Sequence, residues 1–300
     1  MDNIGNYITL GELLDKLYPS TYVSHRSKIQ LFNKAGNQFE YTAGNYVPTA
    51  GDIVCQGEYY ATVVSIGALP ATIVLDDATN IEEDISRVFR SILDADYLTA
   101  KIVAYMQIID THTGQWFNKR DLTVDIEGAN STMLHFSVPV IDVANIKTNE
   151  STEILSTDLY RVFSSRTLPD DRRNPKIKLL SGHFFINKLT TIEGSWGWLE
   201  PDGSTPELIK QAVARLVMLD ISRDPMAIGK GQIRAEKTDM HEIHYAFTDV
   251  ALITEISSLK TGDADVDRII QLYKAPFSIG GTNVDYIKVR SPNIFEELYG

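Results

Sequence analysis

The chain has 300 residues, of which 43% are hydrophobic, enough to fill real cores and to exclude a disordered protein. Its formal net charge of −12 argues against a broad surface that grips phosphates, though an acidic wall past which nucleic acid slides without sticking stays compatible with it. One cysteine, Cys55, excludes an intrachain disulfide framework; no run of residues approaches the length of a membrane span, and the opening MDNIGNYITL lacks the basic and apolar regions of a signal peptide.

Residues 7–18, YITLGELLDKLY, read as a short helix capped by Thr9, with Leu10, Leu13, Leu14 and Leu17 in a stripe and Pro19 as its stop. From Lys28 to Leu75 the pattern changes to about five short β segments separated by turns, as in a small barrel or curled sheet. Cys55 lies in one of them and reads as a small core residue. Asn80–Asp110 is expected to be helical. Asn80 and Glu83 fit a capping box, and Ile85, Val88, Phe89 and Ile92 form a stripe. Leu98, Ile102, Met106 and Ile109 continue it after a possible break near Asp94, and Gly114 supplies the stop. Lys119–Trp198 returns to short alternating segments suited to an antiparallel sheet.

Gly194–Ser222, GSWGWLEPDGSTPELIKQAVARLVMLDIS, organises the rest. A strand end with Trp196 and Trp198 enters the turn Glu200-Pro201-Asp202-Gly203. A helix follows, with Ser204 or Thr205 as cap, Pro206 in the first turn and Glu207 completing a capping-box pattern. Ile209, Ala212, Val213, Leu216 and Val217 share one face, and Leu208, Ala214, Met218 and Leu219 make other faces apolar, as in a helix surrounded by protein. A β run around QIRAEKTDMHEIHYAF and a short helix, Asp265–Tyr273, lead to an extended tail from Pro276. The expected class is α+β: a small helical bundle around a central helix with an antiparallel β insert, plus an N-terminal small β module. The expected domains are 1–27, a first helix of the core; 28–78, the inserted β module; 79–275, the helical and β core with its insert at about 119–199; and 276–300, a C-terminal arm.

Candidate chemistry is sparse. His241 and His244, with Asp239 nearby, form the most enzyme-like cluster, yet a strand would place the two histidines on opposite faces, whereas the zinc-protease pattern needs i and i+4 on a helix. No metal site, cofactor site or catalytic residue is therefore assigned. Gly229-Lys230-Gly231 and Gly280-Gly281-Thr282 lack the strand-to-helix setting of a phosphate loop. Arg166, Arg172, Arg173, Lys176 and Lys178 make one basic patch, either a solvated loop or a contact for an acidic protein surface or passing DNA. Trp196 and Trp198 read as packing residues or as a ligand platform. In the tail, Ile279, Val284, Tyr286, Ile287, Ile294, Phe295, Leu298 and Tyr299 supply more apolar surface than a solvated terminus carries. They are expected to be covered by another subunit or by their own.

Several stretches recur in a family-like order. Ile109-Asp110-Thr111-His112-Thr113-Gly114-Gln115-Trp116-Phe117 matches an ID-x-x-T-G-x-x-F signature at a helix end. Gly194–Ala212 matches a G-x-W/Y-G turn followed by P-E-L-I-K-x-A. Ala235–Tyr245 and Leu272–Pro276 match a downstream strand and an L-Y-K-A-P helix end. In this order the chain resembles the head-to-tail connector (adaptor, head-completion) proteins of tailed bacteriophages, over roughly three quarters of its length; residues 28–75 depart from the compact pattern. The resemblance implies a structural protein of the virion neck, made in the bacterial host cytoplasm. It implies a homo-oligomeric ring, commonly of twelve subunits, docked under the portal protein and offering a platform to the next neck or tail protein. Genomic double-stranded DNA would pass through its channel without sequence-specific binding, with no membrane, no cofactor and no catalytic residues. The competing expectations are a metal-dependent hydrolase using His241 and His244, and a tail module that binds host carbohydrate through its aromatics.

Overall fold

The structure is a computed structural model that describes residues 6–43, 46–67, 71–164, 174–223, 235–238, 241–244, 261–274 and 288–289. It mixes helices and strands in two compact units: one of residues 8–106 and 211–267, the other of residues 1–7, 107–210 and 268–300. No helix among the described residues is long and apolar enough to cross a membrane.

In the first unit, helix α1 (Leu10–Leu17) opens with the expected Thr9 cap, here part of a capping box: the Glu12 N–H donates to Thr9 Oγ1 at 3.1 Å, and the Thr9 N–H to Glu12 Oε2 at 2.9 Å. All four leucines of its stripe are buried. Six antiparallel strands follow: β1 (Val23–Ala35), β2 (Gln38–Ala43), β3 (Ile53–Gln56), β4 (Tyr59–Gly67), β5 (Thr72–Leu75) and β6 (Ile85–Ser91). They close into a barrel in the order β1-β2-β5-β4-β3-β6. Closure leaves no sheet edge, and Ile29, Leu31, Phe39, Val54, Val63, Ile73, Leu75 and Val88 fill the interior. Helix α1 lies on the barrel wall. Asp15 pairs with Arg87 and, at 3.1 Å, with Arg26, and a Cβ on Gly11 would stand 2.6 Å from the Arg87 guanidinium. Cys55 is buried, and burial pushes its thiol up to about 12.

Here the structure corrects the expectation of a helix from Asn80. Residues 85–91 are the closing strand, and the barrel runs from 23 to 91 rather than from 28 to 78. The spacing of Ile85, Val88, Phe89 and Ile92 does suit a helix face. Strand β6 is chosen instead because it pairs on both sides, with β1 (Ser27↔Val88) and β3 (Val54↔Val88), and β-branched residues favour that setting. Val88 and Phe89 are buried, while Ile85 and Ile92 face solvent. Glu83 caps nothing with Asn80; its carboxylate accepts the Lys34 N–H at 2.7 Å.

Helix α2 (Ala95–Thr113) begins after the suspected break, where Asp94 Oδ1 accepts the N–H of Asp96 and Tyr97. Leu98, Ile102, Met106 and Ile109 are its buried stripe. Helix α3 (Glu207–Arg223) buries Ile209, Ala212, Val213, Ala214, Leu216, Val217 and Ile221, but Leu208, Gln211 and Arg215 are exposed, so one face is open to solvent rather than surrounded by protein as expected. Within this unit Lys101 of α2 pairs with Asp220 of α3 at 2.6 Å. Arg215 of α3 meets Asp263 at 3.0 Å and Asp265 at 2.9 Å, at the start of helix α4 (Ala264–Tyr273).

In the second unit, strands β7 (Arg120–Glu127), β8 (Met133–His135), β9 (Val140–Lys147), β10 (Tyr160–Phe163), β11 (Lys176–Leu179) and β12 (Leu189–Trp196) make two antiparallel sheets. One, β9-β12-β7, gains a further two-residue strand, Lys288–Val289, on β7; the other is β10-β11-β8. Val124, Val140, Ile146, Ile192 and Trp196 of the first share one apolar core with Leu134, Tyr160, Ile177 and Leu179 of the second. In the first unit a two-stranded antiparallel sheet pairs Ala235–Thr238 with His241–His244.

Candidate functional site

The residues of the signature meet at one junction in the second unit, where α2 ends and the β insert begins. The Thr113 hydroxyl donates to the Ile109 carbonyl at 2.7 Å. The Gly114 N–H donates to the Asp110 carbonyl at 2.8 Å, with Gly114 at φ +66°, a left-handed stop that suits glycine. Asp110 then accepts the Tyr7 hydroxyl and, through Oδ2, Arg120 Nη2 at 2.5 Å. The Tyr7 oxygen accepts the Phe117 N–H at 2.9 Å, and Arg120 lies over the Trp116 ring with Cζ 4.9 Å from its centroid.

The returning strand closes the junction. The Trp198 N–H donates to the Trp116 carbonyl at 2.6 Å, and the Thr205 hydroxyl donates to the Phe117 carbonyl at 2.8 Å. A Cβ on Gly197 would stand 2.3 Å from the Asn118 carbonyl oxygen, and one on Gly194 2.3 Å from that of Asp142, so both glycines admit neighbouring backbone. Phe117 packs edge-to-face on Tyr7 at 5.6 Å and on Tyr273 at 5.2 Å, and Tyr273 does the same with Trp198 at 5.5 Å.

Burial raises the Tyr7 phenol well above its ordinary value, and the negative charge of Asp110 adds to this. Burial also raises the Asp110 carboxyl, against the opposing pull of Tyr7 and Arg120. The phenol therefore stays a hydrogen-bond donor at any ordinary pH, and the carboxylate is engaged from two sides with its side chain 16% exposed. Chemically this is an anchor for three chain segments rather than an acid or base presented to a substrate. Tyr7 and Arg120, the partners of Asp110, carried no signal in the sequence.

The other sequence candidates fall as follows. Trp196 and Trp198 are 2% and 7% exposed, and Trp196 packs on Phe136 at 5.3 Å, so neither offers a face to a sugar. His241–His244 is a strand, in which positions three apart alternate faces; the side chains of His241 and His244, and all of Asp239, lie outside the described residues. So do Arg166, Arg172 and Arg173, both glycine loops, and Ile279, Val284, Tyr286, Ile287, Ile294, Phe295, Leu298 and Tyr299 of the tail. Lys176 and Lys178 are described, and they lie on β11 rather than in a loop.

No family model matches the sequence, and no curated protein matches it significantly. Among solved structures, a chain from the neck of an empty GTA particle computed with C6 symmetry matches at 13% identity and TM-score 0.39, over 63% of this chain and 83% of that one. A chain from the virion of a native gene transfer agent (GTA) particle matches at 14% identity and TM-score 0.39, over 63% and 82%.

Proposed function

We propose that this chain is a structural protein of a phage neck: an adaptor ring under the portal that extends the DNA channel and joins head to tail. The observation that supports this reading is the junction. Asp110, Gly114, Phe117, Gly197, Trp198 and Tyr273, drawn from three motifs of the resemblance, pack into one anchor. Residues in that order and contact tie the β insert to the end of α2 and to Tyr273 of α4, which suits a building block. The tail carries the subunit-to-subunit or subunit-to-portal attachment in this reading, and many weak arms add through effective concentration. The partners are further copies of the chain, the portal and the next neck or tail protein. Double-stranded DNA passes without sequence-specific contact, and the place of action is the virion.

Light scattering on the purified protein, alone and mixed with portal, tests the reading. A complex containing about twelve times the 33.6 kDa subunit, alone or on the portal, is expected. A monomer that stays a monomer in the presence of portal, and heads that complete without it, would overturn the proposal.

A further inference from the structure

Strand β11 is the middle of the three-stranded sheet, and its register fixes what each face carries. Tyr160 stands opposite Leu179, and Val162 opposite Ile177, which stands opposite Leu134. Of this inner set, Tyr160, Leu134, Ile177 and Leu179 are buried in the core. The outer face holds two rows across the strands: Arg161, Lys178, Met133; and Phe163, Lys176, His135. Three cations thus lie within one strand-pair width of each other, Lys176 Nζ being 5.8 Å from the Phe163 ring centroid. Like charges directly opposite on paired strands repel. Yet among the described residues no carboxylate comes within 4.0 Å of Arg161, Lys176 or Lys178. The chain has 40 acidic residues against 28 basic ones, so so compact a bare basic face is out of keeping with the rest.

We propose that this face docks the acidic rim of the barrel on a second copy of the chain. The inference rests on the ring reading above. The rim is 76–84, DDATNIEED, in which Asp76, Asp77, Glu82, Glu83 and Asp84 are all exposed. The cation beside it, Lys34, is held by the carbonyls of Ala78 at 2.8 Å and Ile81 at 2.6 Å. Duplex DNA is the less suited occupant, because the chain as a whole carries a net charge of −12, the same sign as phosphate. A second copy meets the face with the exposed carboxylates between β5 and β6. The two patches differ, so the contact is head-to-tail and repeats from copy to copy, which closes into a ring where the rotation allows. Phe163 and Met133 give the basic face an apolar floor, so that the contact is not built of exposed charges alone.

The test is charge reversal on the full chain, read as mass by light scattering or sedimentation. The wild type is expected to associate at 0.1 M salt, where charges reach about 10 Å, and to come apart towards 1 M, where they reach about 3 Å. Lys176→Glu with Lys178→Glu, and separately Glu82→Lys with Asp84→Lys, should each weaken association about tenfold or more. The four changes together should restore it, which a merely structural role would not do. If the glutamate pair disturbs the circular dichroism spectrum, Lys176→Gln with Lys178→Gln reads the same loss. Assembly that ignores salt and both reversals leaves the ring standing and overturns this contact. A wild type that stays monomeric throughout and does not ring on the portal overturns both. A labelled duplex that binds the wild type and not the lysine variant, with no change in self-association, makes the face a nucleic-acid surface and also overturns the proposal.

Discussion

Arg120 Nη2 lies 2.5 Å from Asp110 Oδ2, and both side chains are less than one-fifth exposed, 19% and 16%. The pair ties the first strand of the β insert to the last turn of α2, and the Tyr7 hydroxyl ties the N-terminal segment to the same carboxylate. Removing one member of such a pair leaves the other buried without its countercharge. Asp110→Ala is therefore expected to cost about 3 kcal/mol in urea unfolding. The pH profile adds a second readout. Burial raises the Asp110 carboxyl, so the native chain holds a proton that the unfolded chain releases near pH ~4. Stability from this group is thus full below that point and falls as pH rises through the raised native value. Asp110→Asn should lack that descent; parallel curves for wild type and variant would place the titration elsewhere.

Two glycines separate backbone conformation from crowding. Gly36 has φ +63° and nothing within 4 Å of a notional Cβ, so Gly36→Ala should cost about 1 kcal/mol, the strain of the left-handed region. Gly197 has φ +147° and a carbonyl oxygen 2.3 Å from the same notional atom, and its own N–H is held by the Pro139 carbonyl at 2.9 Å. Neither neighbour can step aside without opening the junction. Gly197→Ala is expected to cost about 3 kcal/mol or more. Equal shifts in denaturation midpoint for the two variants would mean that the close approach at Gly197 relaxes cheaply.

The barrel predicts which fragment can fold. A piece spanning 28–78 lacks β6 and so leaves two open edges and the inner residue Val54 without its partner Val88. A piece spanning 6–92 keeps all six strands and the α1 cap over Cys55 and Arg87. Circular dichroism and urea unfolding should show a cooperative transition for 6–92 and none for 28–78. Cooperative folding of 28–78 would show that the barrel closes without its sixth strand.

The same strand shows where the sequence stops being legible. Local signals were enough for α1, where Thr9 announces the cap and four leucines the stripe, and for α3, where the turn at Pro201 and Gly203 precedes a run of buried aliphatic residues. Residues 85–92 place Ile, Val, Phe and Ile at intervals of three, one and three, which a helix face and a twisted strand can both accept. The decision belongs to β1 and β3, which lie more than thirty residues away along the chain, and no local pattern records it. The junction has the same character. Asp110, Gly114 and Phe117 stood out as a motif, but Tyr7 lies 103 residues from Asp110 in sequence, and their bond exists only in the fold. On the outer sheet face, Lys176 and Lys178 were visible as a basic pair, whereas Arg161 joins them only through the β10–β11 register.

The tail gives the remaining prediction. Lys288 and Val289 pair antiparallel with Asp125 and Val124 of β7 in the same chain. They occupy part of an outer edge that runs from Arg120 to Glu127, on the side of β7 away from β12. Such a strand satisfies backbone groups that would otherwise offer a template to another chain. Two paired residues supply little stability, about 1 kcal/mol, which corresponds to about 2–4 °C in a chain of this kind. Deleting residues 278–300 should therefore leave a cooperative thermal transition close to that of the full chain. The apolar residues of the arm, Val284, Tyr286, Ile287, Phe295 and Leu298 among them, exceed what those two pairings can cover. The proposal that they attach the subunit to its neighbours or to the portal predicts that the truncated protein no longer completes DNA-filled heads. Tail-competent heads made with the truncated protein would refute the arm. Outright unfolding would show that these residues pack on their own subunit, with Lys288 and Val289 as the visible part of a larger contact.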